Sequence, residues 1–144
     1  MKVEIFDGEV DELADAFAYL VPQLSKSNPP PGVDFVQAML GSDAITQFVA
    51  RDDGGRIVGV ATLVIFPIPT AWRAWIEDVI VDESTAGRGI GTALTEAMLE
   101  HARAAGCKTV DLTSRPKREA ANHMYRKLGF VQRDTNVYRY DLNV

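Results

Sequence analysis

Residues Val79–Leu94 read Val-Ile-Val-Asp-Glu-Ser-Thr-Ala-Gly-Arg-Gly-Ile-Gly-Thr-Ala-Leu. An apolar β-branched run passes into a glycine-rich turn, Gly87-Arg-Gly-Ile-Gly91, and the turn opens directly into a helical pattern. The start of a helix carries backbone N–H groups without partners and a partial positive charge, and together these bind phosphate. Glycines let the backbone approach an anion closely and adopt positive φ. The stretch therefore reads as a pyrophosphate cradle. It is neither of two familiar kinds. The dinucleotide fingerprint needs glycine at position 92, where Thr92 stands, and the P-loop needs Lys-Ser/Thr after its last glycine, where Thr92-Ala93 stand. Taken alone, the stretch also fits a plain strand-to-helix turn.

The rest of the chain narrows the ligand and partners. A length of 144 residues suits one domain, 1–144, with a proper core. A net charge of −5 argues against nucleic acid or an anionic membrane surface and toward a cationic substrate. No apolar run is long enough to span a membrane. Charges interrupt the N-terminus, Met1-Lys-Val-Glu-Ile-Phe-Asp, so it does not read as a signal peptide. The single Cys107 excludes an internal disulfide and suits a reducing cytoplasm. Two histidines and one cysteine, far apart, give no metal-ligand spacing, so no metal is expected.

Periodicity and turn residues lay out the elements. Val3–Asp7 reads as a strand. Asp11–Leu20 reads as a helix with Leu13, Ala14, Phe17 and Leu20 on one face. Ser25–Gly32, with three prolines, is a loop. Asp34–Leu40 is a short helix with Asp34 at its N-cap. Ile45–Arg51 and Arg56–Phe66 are strands around a turn at Asp52–Gly55, and Pro67-Ile-Pro69 ends the second. Trp72–Val81 is the next strand. The helix over Gly89–Ala105 buries Ile90, Leu94, Ala97, Met98 and Ala102, with Gly106 as its C-cap. Cys107–Thr113 is a strand, and Arg118–Leu128 a helix stopped by Gly129. Phe130–Gln132 and Val137–Leu142 read as two last strands around Arg133–Asn136. The order predicts an α/β (α+β) fold, a mixed sheet with helices on both faces.

A second motif follows the glycine turn at a distance of one helix and one strand: Arg118-Glu-Ala-Ala-Asn-His-Met-Tyr-Arg-Lys-Leu-Gly-Phe130. The two motifs in this order resemble the GCN5-related N-acetyltransferases, over Ile45 to Phe130 and, by pattern, before it. The resemblance implies a mixed sheet that splays between its fourth and fifth strands, with acetyl-CoA as cosubstrate in the opening. It implies that the backbone N–H groups of Arg88, Gly89, Ile90, Gly91 and Thr92 hold the pyrophosphate. The backbone of Val79 and Val81 would pair with the pantetheine arm, and the Val79 N–H would polarise the acetyl carbonyl. The family's loop usually opens on Gln or Arg, and here that position is Ala86.

Direct transfer of an acetyl group to a primary amine needs a deprotonated amine, donors for the oxyanion and a proton for the departing thiolate. Tyr125 matches the family's tyrosine and is the candidate proton donor; its bland reading is a packed aromatic. Asn122, one turn earlier, is a candidate for binding the pantetheine amides, or else an exposed helix Asn. Glu77 and Asp78 are the candidate bases. Strict alternation puts Trp75, Glu77, Val79 and Val81 on one face of the strand and Asp78 on the other. A structural carboxylate paired with Arg73 or Arg56 is the alternative for either. Trp72 and Trp75 are candidates for the acceptor pocket or for packing at the sheet edge, and Ser25–Gly32 is a candidate lid. His101 is expected on the polar side of its helix, His123 in solvent, and Cys107 as a small buried hydrophobe. The expected partner is a small-molecule or peptide amine, with no nucleic acid and no membrane. The alternating segment Thr135–Tyr140 leaves open a substrate-facing role or a homodimer edge. A non-catalytic acyl-CoA-binding module, motivated by Ala86, is the competing reading.

Overall fold

The structure, a computed structural model, describes residues 1–143, in two compact units, Met1–Thr113 and the segment from Ser114 on. The first unit holds an open five-stranded sheet in the order β1-β2-β3-β4-β5. Its strands are β1 Lys2–Ile5, β2 Ile45–Arg51, β3 Ile57–Ile68, β4 Ala71–Val81 and β5 Thr109–Asp111. Helices α1 Val10–Leu24 and α2 Val33–Leu40 come before β2, and α3 Ile90–Ala104 joins β4 to β5. Every neighbour pair is antiparallel except β4–β5. That pair is parallel because α3 carries the chain back before β5 begins.

Cross-strand register assigns the two faces of this sheet. Val49, Val60 and Ile80 lie in one row and share a buried cluster with Leu13, Phe17 and Leu20 of α1 and Val36 of α2. Ala50, Gly59 and Val81 lie in a row of the opposite face. There a Cβ on Gly59 would stand 3.0 Å from Ile90 Cγ2 and 3.1 Å from Leu94 Cδ1. Glycine at 59 thus lets the first turn of α3 lie directly on β3. Of the expected stripe, Ile90, Leu94, Met98 and Ala102 are buried and Ala97 is half-buried. Thr95 is buried with the stripe, its hydroxyl donating to Gly91 O at 2.7 Å. His101 departs from the expected polar side, because its ring packs edge-on to Phe48, with centroids 5.7 Å apart.

Several boundaries shift. α1 continues past Leu20 to Leu24, because Pro22 in the last turn forfeits only one helical bond. α2 starts at Val33 with Gly32 as N-cap, so Asp34 sits inside the first turn rather than capping it. β3 runs through Pro67 to Ile68, and β5 covers only Thr109–Asp111.

The second unit contains α4, Glu119–Lys127. The helix ends as the motif sequence dictates. Gly129, at φ 103°, donates its N–H to Arg126 O, and Phe130 donates to Tyr125 O. This is the paired C-terminal closure that requires a left-handed residue, normally glycine. α3 closes the same way at Gly106. The expected strands over Phe130–Gln132 and Val137–Leu142 do not form. Val137, Tyr138, Tyr140 and Leu142 are exposed, and no strand pairs with them among the described residues; an alternating pattern makes a strand only where a partner takes its hydrogen bonds.

Candidate active site

The site is built where β4 leaves β5. The two strands pair only at Arg73–Thr109, Ala74–Val110 and Trp75–Asp111. Beyond Trp75, β4 continues to Val81 with β3 as its only strand neighbour among the described residues. This is the expected splay between the fourth and fifth strands, and it leaves one edge of β4 open. Asp82 donates its N–H to Val58 O on the β3 side at 2.8 Å. By alternation, the N–H of Val81 points to the open edge. An extended ligand there would be bonded as an added strand.

A bulge sits in the middle of this edge. Thr62 pairs with Glu77 and Val60 with Ile80, so Asp78 and Val79 together oppose Ala61. Asp78 takes φ 48°, the one positive φ at a non-glycine residue among the described residues. The bulge corrects the strict alternation expected for β4. Trp75, Glu77 and Ile80 share the α1/α2 face, whereas Val81 lies with Ala74 and Ile76 on the α3 face. The extra residue shifts all later side chains by one place.

Glu77 therefore stands on the α1/α2 face, in a row with Thr62 and Gln47. Gln47 is buried, donates to Phe48 O and Ala61 O, and accepts the Thr62 hydroxyl at 2.7 Å. Both carboxylates are exposed and make no ion pair among the described residues. Arg73 pairs instead with Asp111, and Arg56 lies 3.9 Å from Asp82. A free carboxylate on this face can attract and deprotonate an amine. Trp75 is half-buried on the Glu77 face, while Trp72 is half-exposed on the other, so the two do not line one pocket.

The glycine turn is held from its start. Asp82 caps the short 3-10 turn Glu83–Thr85 by accepting the Ser84 N–H at 3.2 Å. The chain then runs through Ala86, Gly87, Arg88 and Gly89, all exposed. Gly87 and Gly89 have φ 81° and 76°, and a Cβ on either would meet nothing within 4 Å. Glycine is required here by backbone conformation and not by crowding. Ala93 donates to Gly89 O, the first bond of α3, and no side chain caps the helix. The N–H groups of Ile90, Gly91 and Thr92 consequently have no helical partner, and the dipole of α3 favours an anion beside them. Arg88 adds an exposed cation. These atoms fit a diphosphate.

The second unit carries the other candidates. Tyr125 is buried, with its ring edge-on to Phe130 at 5.6 Å between centroids. Burial pushes its phenol above the ordinary value, only partly offset by Arg118, so the group stays protonated well past neutral pH. Its hydroxyl makes no hydrogen bond among the described residues. The Asn122 amide is partly committed, donating to Arg115 O at 2.9 Å, which leaves its carbonyl oxygen free to accept. His123 is exposed as expected. Cys107 is half-buried and free, and burial pushes its thiol up, which makes it a poor nucleophile.

Two features of the site were not read from the sequence. The bulge at Asp78 has no local signature. Asp82 did have one, since Asp-x-Ser after a strand is a capping pattern. No cluster of metal-ligating side chains occurs among the described residues. No helix there is long and apolar enough to cross a membrane.

Comparison with known proteins gives the family. The model of the acetyltransferase (GNAT) family matches residues 13–130. Glucosamine 6-phosphate N-acetyltransferase 1 of Oryza sativa subsp. japonica is 30% identical over 92% of this chain and 83% of its own length. Glucosamine 6-phosphate N-acetyltransferase of Trypanosoma brucei brucei is 37% identical over 77% of this chain and 78% of its own. The crystal structure of an acetyltransferase from Trypanosoma brucei superposes with a TM-score of 0.79 at 32% identity, covering 98% of this chain and 100% of that one. Relatives named for acetyl transfer do not favour the reading as a non-catalytic binding module.

Proposed function

Because the chain belongs to the acetyltransferase (GNAT) family and is an N-acetyltransferase, we propose that it moves the acetyl group of acetyl-CoA directly to a primary amine through the site described above. The observation that carries this is the row of unpartnered N–H groups at Ile90, Gly91 and Thr92 behind two positive-φ glycines. It lies where β4 has an open edge. In this reading residues 1–144 work as one catalytic domain.

Acetyl-CoA supplies the activated acyl group as a thioester. Ile90, Gly91 and Thr92, with Arg88 and Gly89, bind its diphosphate. The Val79 and Val81 backbones orient the pantetheine arm, Asn122 accepts from one of its amides, and the Val79 N–H stabilises the oxyanion. Glu77, with Asp78 beside it, attracts the acceptor ammonium and takes its proton. The free amine forms the new C–N bond to the acetyl carbon as the C–S bond breaks, and the nitrogen releases its second proton to solvent to leave the neutral amide. Tyr125 gives its phenolic proton to the departing sulfur and recovers one from solvent. The raised phenol, held neutral by burial, supports that role.

The acceptor is a small-molecule or peptide amine. The printed names of the rice and trypanosome relatives put amino-sugar phosphates first among the amines to test. A cytoplasmic setting fits the single free cysteine. The exposed Val137, Tyr138, Tyr140 and Leu142 support a homodimer formed through that segment. Calorimetric titration of the apo protein with CoA tests the cradle directly. Binding with micromolar affinity is expected, and undetectable binding removes the proposal.

A further inference from the structure

The glycine turn contains little of its own support. Ala86 offers no polar atom, and residues 86–89 are exposed. What holds the turn lies before it. Asp82 is 1% exposed, a buried carboxylate at the end of β4. Its Oδ1 accepts from the Ser84 N–H and from the Tyr19 hydroxyl, both at 3.2 Å. Its backbone carbonyl accepts from the Thr85 N–H and the Thr85 hydroxyl, each at 2.8 Å. Its Oδ2 has no hydrogen bond, and the Arg56 guanidinium stands 3.9 Å away. That guanidinium also lies over the Tyr19 ring, 4.7 Å from its centroid.

The next residue is gripped by the same helix. Gln23 Oε1 accepts the Glu83 N–H at 2.9 Å. Tyr19 and Gln23 are one turn apart on α1, on a shared face. One helix face thus holds two consecutive residues at the entry to the turn, and Asp82 is the anchor of both the cap and the helix contact.

Resting on the reading of Gly87–Thr92 as a diphosphate cradle, we infer that Asp82 is a positioning residue for acyl-CoA. Tied to Tyr19 of α1, it fixes the path on which the chain enters Gly87–Gly89 and so aims the N–H groups of Ile90–Thr92. The carboxylate acts through the backbone and does not touch the ligand. Removing this carboxylate releases the Ser84 N–H and the Tyr19 hydroxyl, both at exposed residues, to solvent, so the tie between α1 and the entry to the turn is lost. Loss of Asp82 therefore disorders the cradle while the splayed edge of β4, which binds the pantetheine arm, is held by its own pairing to β3.

The test uses CoA binding by calorimetry and steady-state acetyl transfer with the full chain, for the wild type, Asp82→Ala, Asp82→Asn and Tyr19→Phe. Asp82→Ala is expected to weaken CoA binding about tenfold or more. It should raise the acetyl-CoA KM to match and leave kcat within about twofold. Asp82→Asn keeps an acceptor for Ser84 and Tyr19 and is expected to recover most of the loss. Tyr19→Phe removes only the helix contact, at an exposed position, and is expected to weaken CoA about threefold; it carries the test if Asp82→Ala does not fold. Unchanged CoA affinity in Tyr19→Phe, with Asp82→Ala unchanged or unfolded, overturns the inference while the cradle stands. A fall in kcat without a change in CoA affinity overturns it too. Failure of the wild type to bind CoA removes cradle and inference together.

Discussion

The rings of Tyr125 and Phe130 meet edge to face, 5.6 Å between centroids, across the closure that ends α4. The contact ties the tyrosine to the Leu-Gly-Phe stop within this chain. Phe130 donates its N–H to Tyr125 O while its ring braces the tyrosine ring. Phe130→Ala is expected to destabilise the protein by about 1–3 kcal/mol through lost packing. Gly129→Ala, at φ 103°, is expected to cost about 1–2 kcal/mol by backbone strain alone. Urea denaturation of the two variants measures both. A Gly129→Ala variant as stable as the wild type contradicts the closure.

Two glycines near α3 should fail in different ways. Gly59 has no room for a Cβ, since Ile90 Cγ2 and Leu94 Cδ1 crowd it. Gly59→Ala is expected to lose about 1–3 kcal/mol of stability by overpacking. Gly89 has room but the wrong φ, 76°. Gly89→Ala is expected to cost about 1 kcal/mol of stability and to weaken CoA binding more than tenfold, because strain relief moves the helix N-terminus. Melting temperatures and CoA titrations of the pair separate the two effects.

Glu77 and Asp78 are adjacent but are expected to differ. Glu77→Gln should lower kcat/KM about 10²-fold near neutral pH. The deficit should shrink as pH approaches the acceptor amine's own pKa, where the amine loses its proton unaided. Asp78→Gly relieves a residue held at φ 48° and is expected to hold or raise stability, by up to about 1 kcal/mol. The pH profile of kcat/KM checks the first, and a deficit constant across pH would assign Glu77 to packing.

Acid should weaken the fold through two carboxylates. The side-chain hydrogen bond from Arg51 holds Glu12 below its ordinary 4.5. Burial would raise Asp82, but the hydrogen bonds from Ser84 and Tyr19 outweigh it and hold the group below 3.8. Each group has a lower pKa folded than unfolded. Its contribution is therefore present above the unfolded value and is lost as pH falls through the folded one. Glu12→Gln and Asp82→Asn are each expected to flatten the fall of melting temperature below about pH 4.5. Equal acid slopes in wild type and variants would count against these interactions.

The sequence announced some of these parts and concealed others. The glycine turn, the Leu-Gly-Phe stop and the stripe Ile90–Ala102 were legible because each is local. A positive φ needs glycine, and a buried helix face needs apolar spacing. The bulge at Asp78 was not legible, since it depends on register with β3, and it moved Val81 away from the Glu77 face. The grip of Tyr19 and Gln23 on Asp82 and Glu83 joins residues some sixty places apart, beyond any local pattern. The segment Val137–Leu142 alternates like a strand yet pairs with nothing among the described residues. Alternation reports a possible face, and only a neighbour makes it a strand.

The most direct test of the account is thiol release from acetyl-CoA, measured with a panel that includes amino-sugar phosphates and polyamines, for the wild type and Tyr125→Phe. Turnover is expected with at least one class of amine. A kcat about 10²-fold lower is expected in the variant, with the acetyl-CoA KM within about threefold. Equal kcat in Tyr125→Phe and the wild type, on an amine the wild type acetylates, would contradict the assignment of the proton donor.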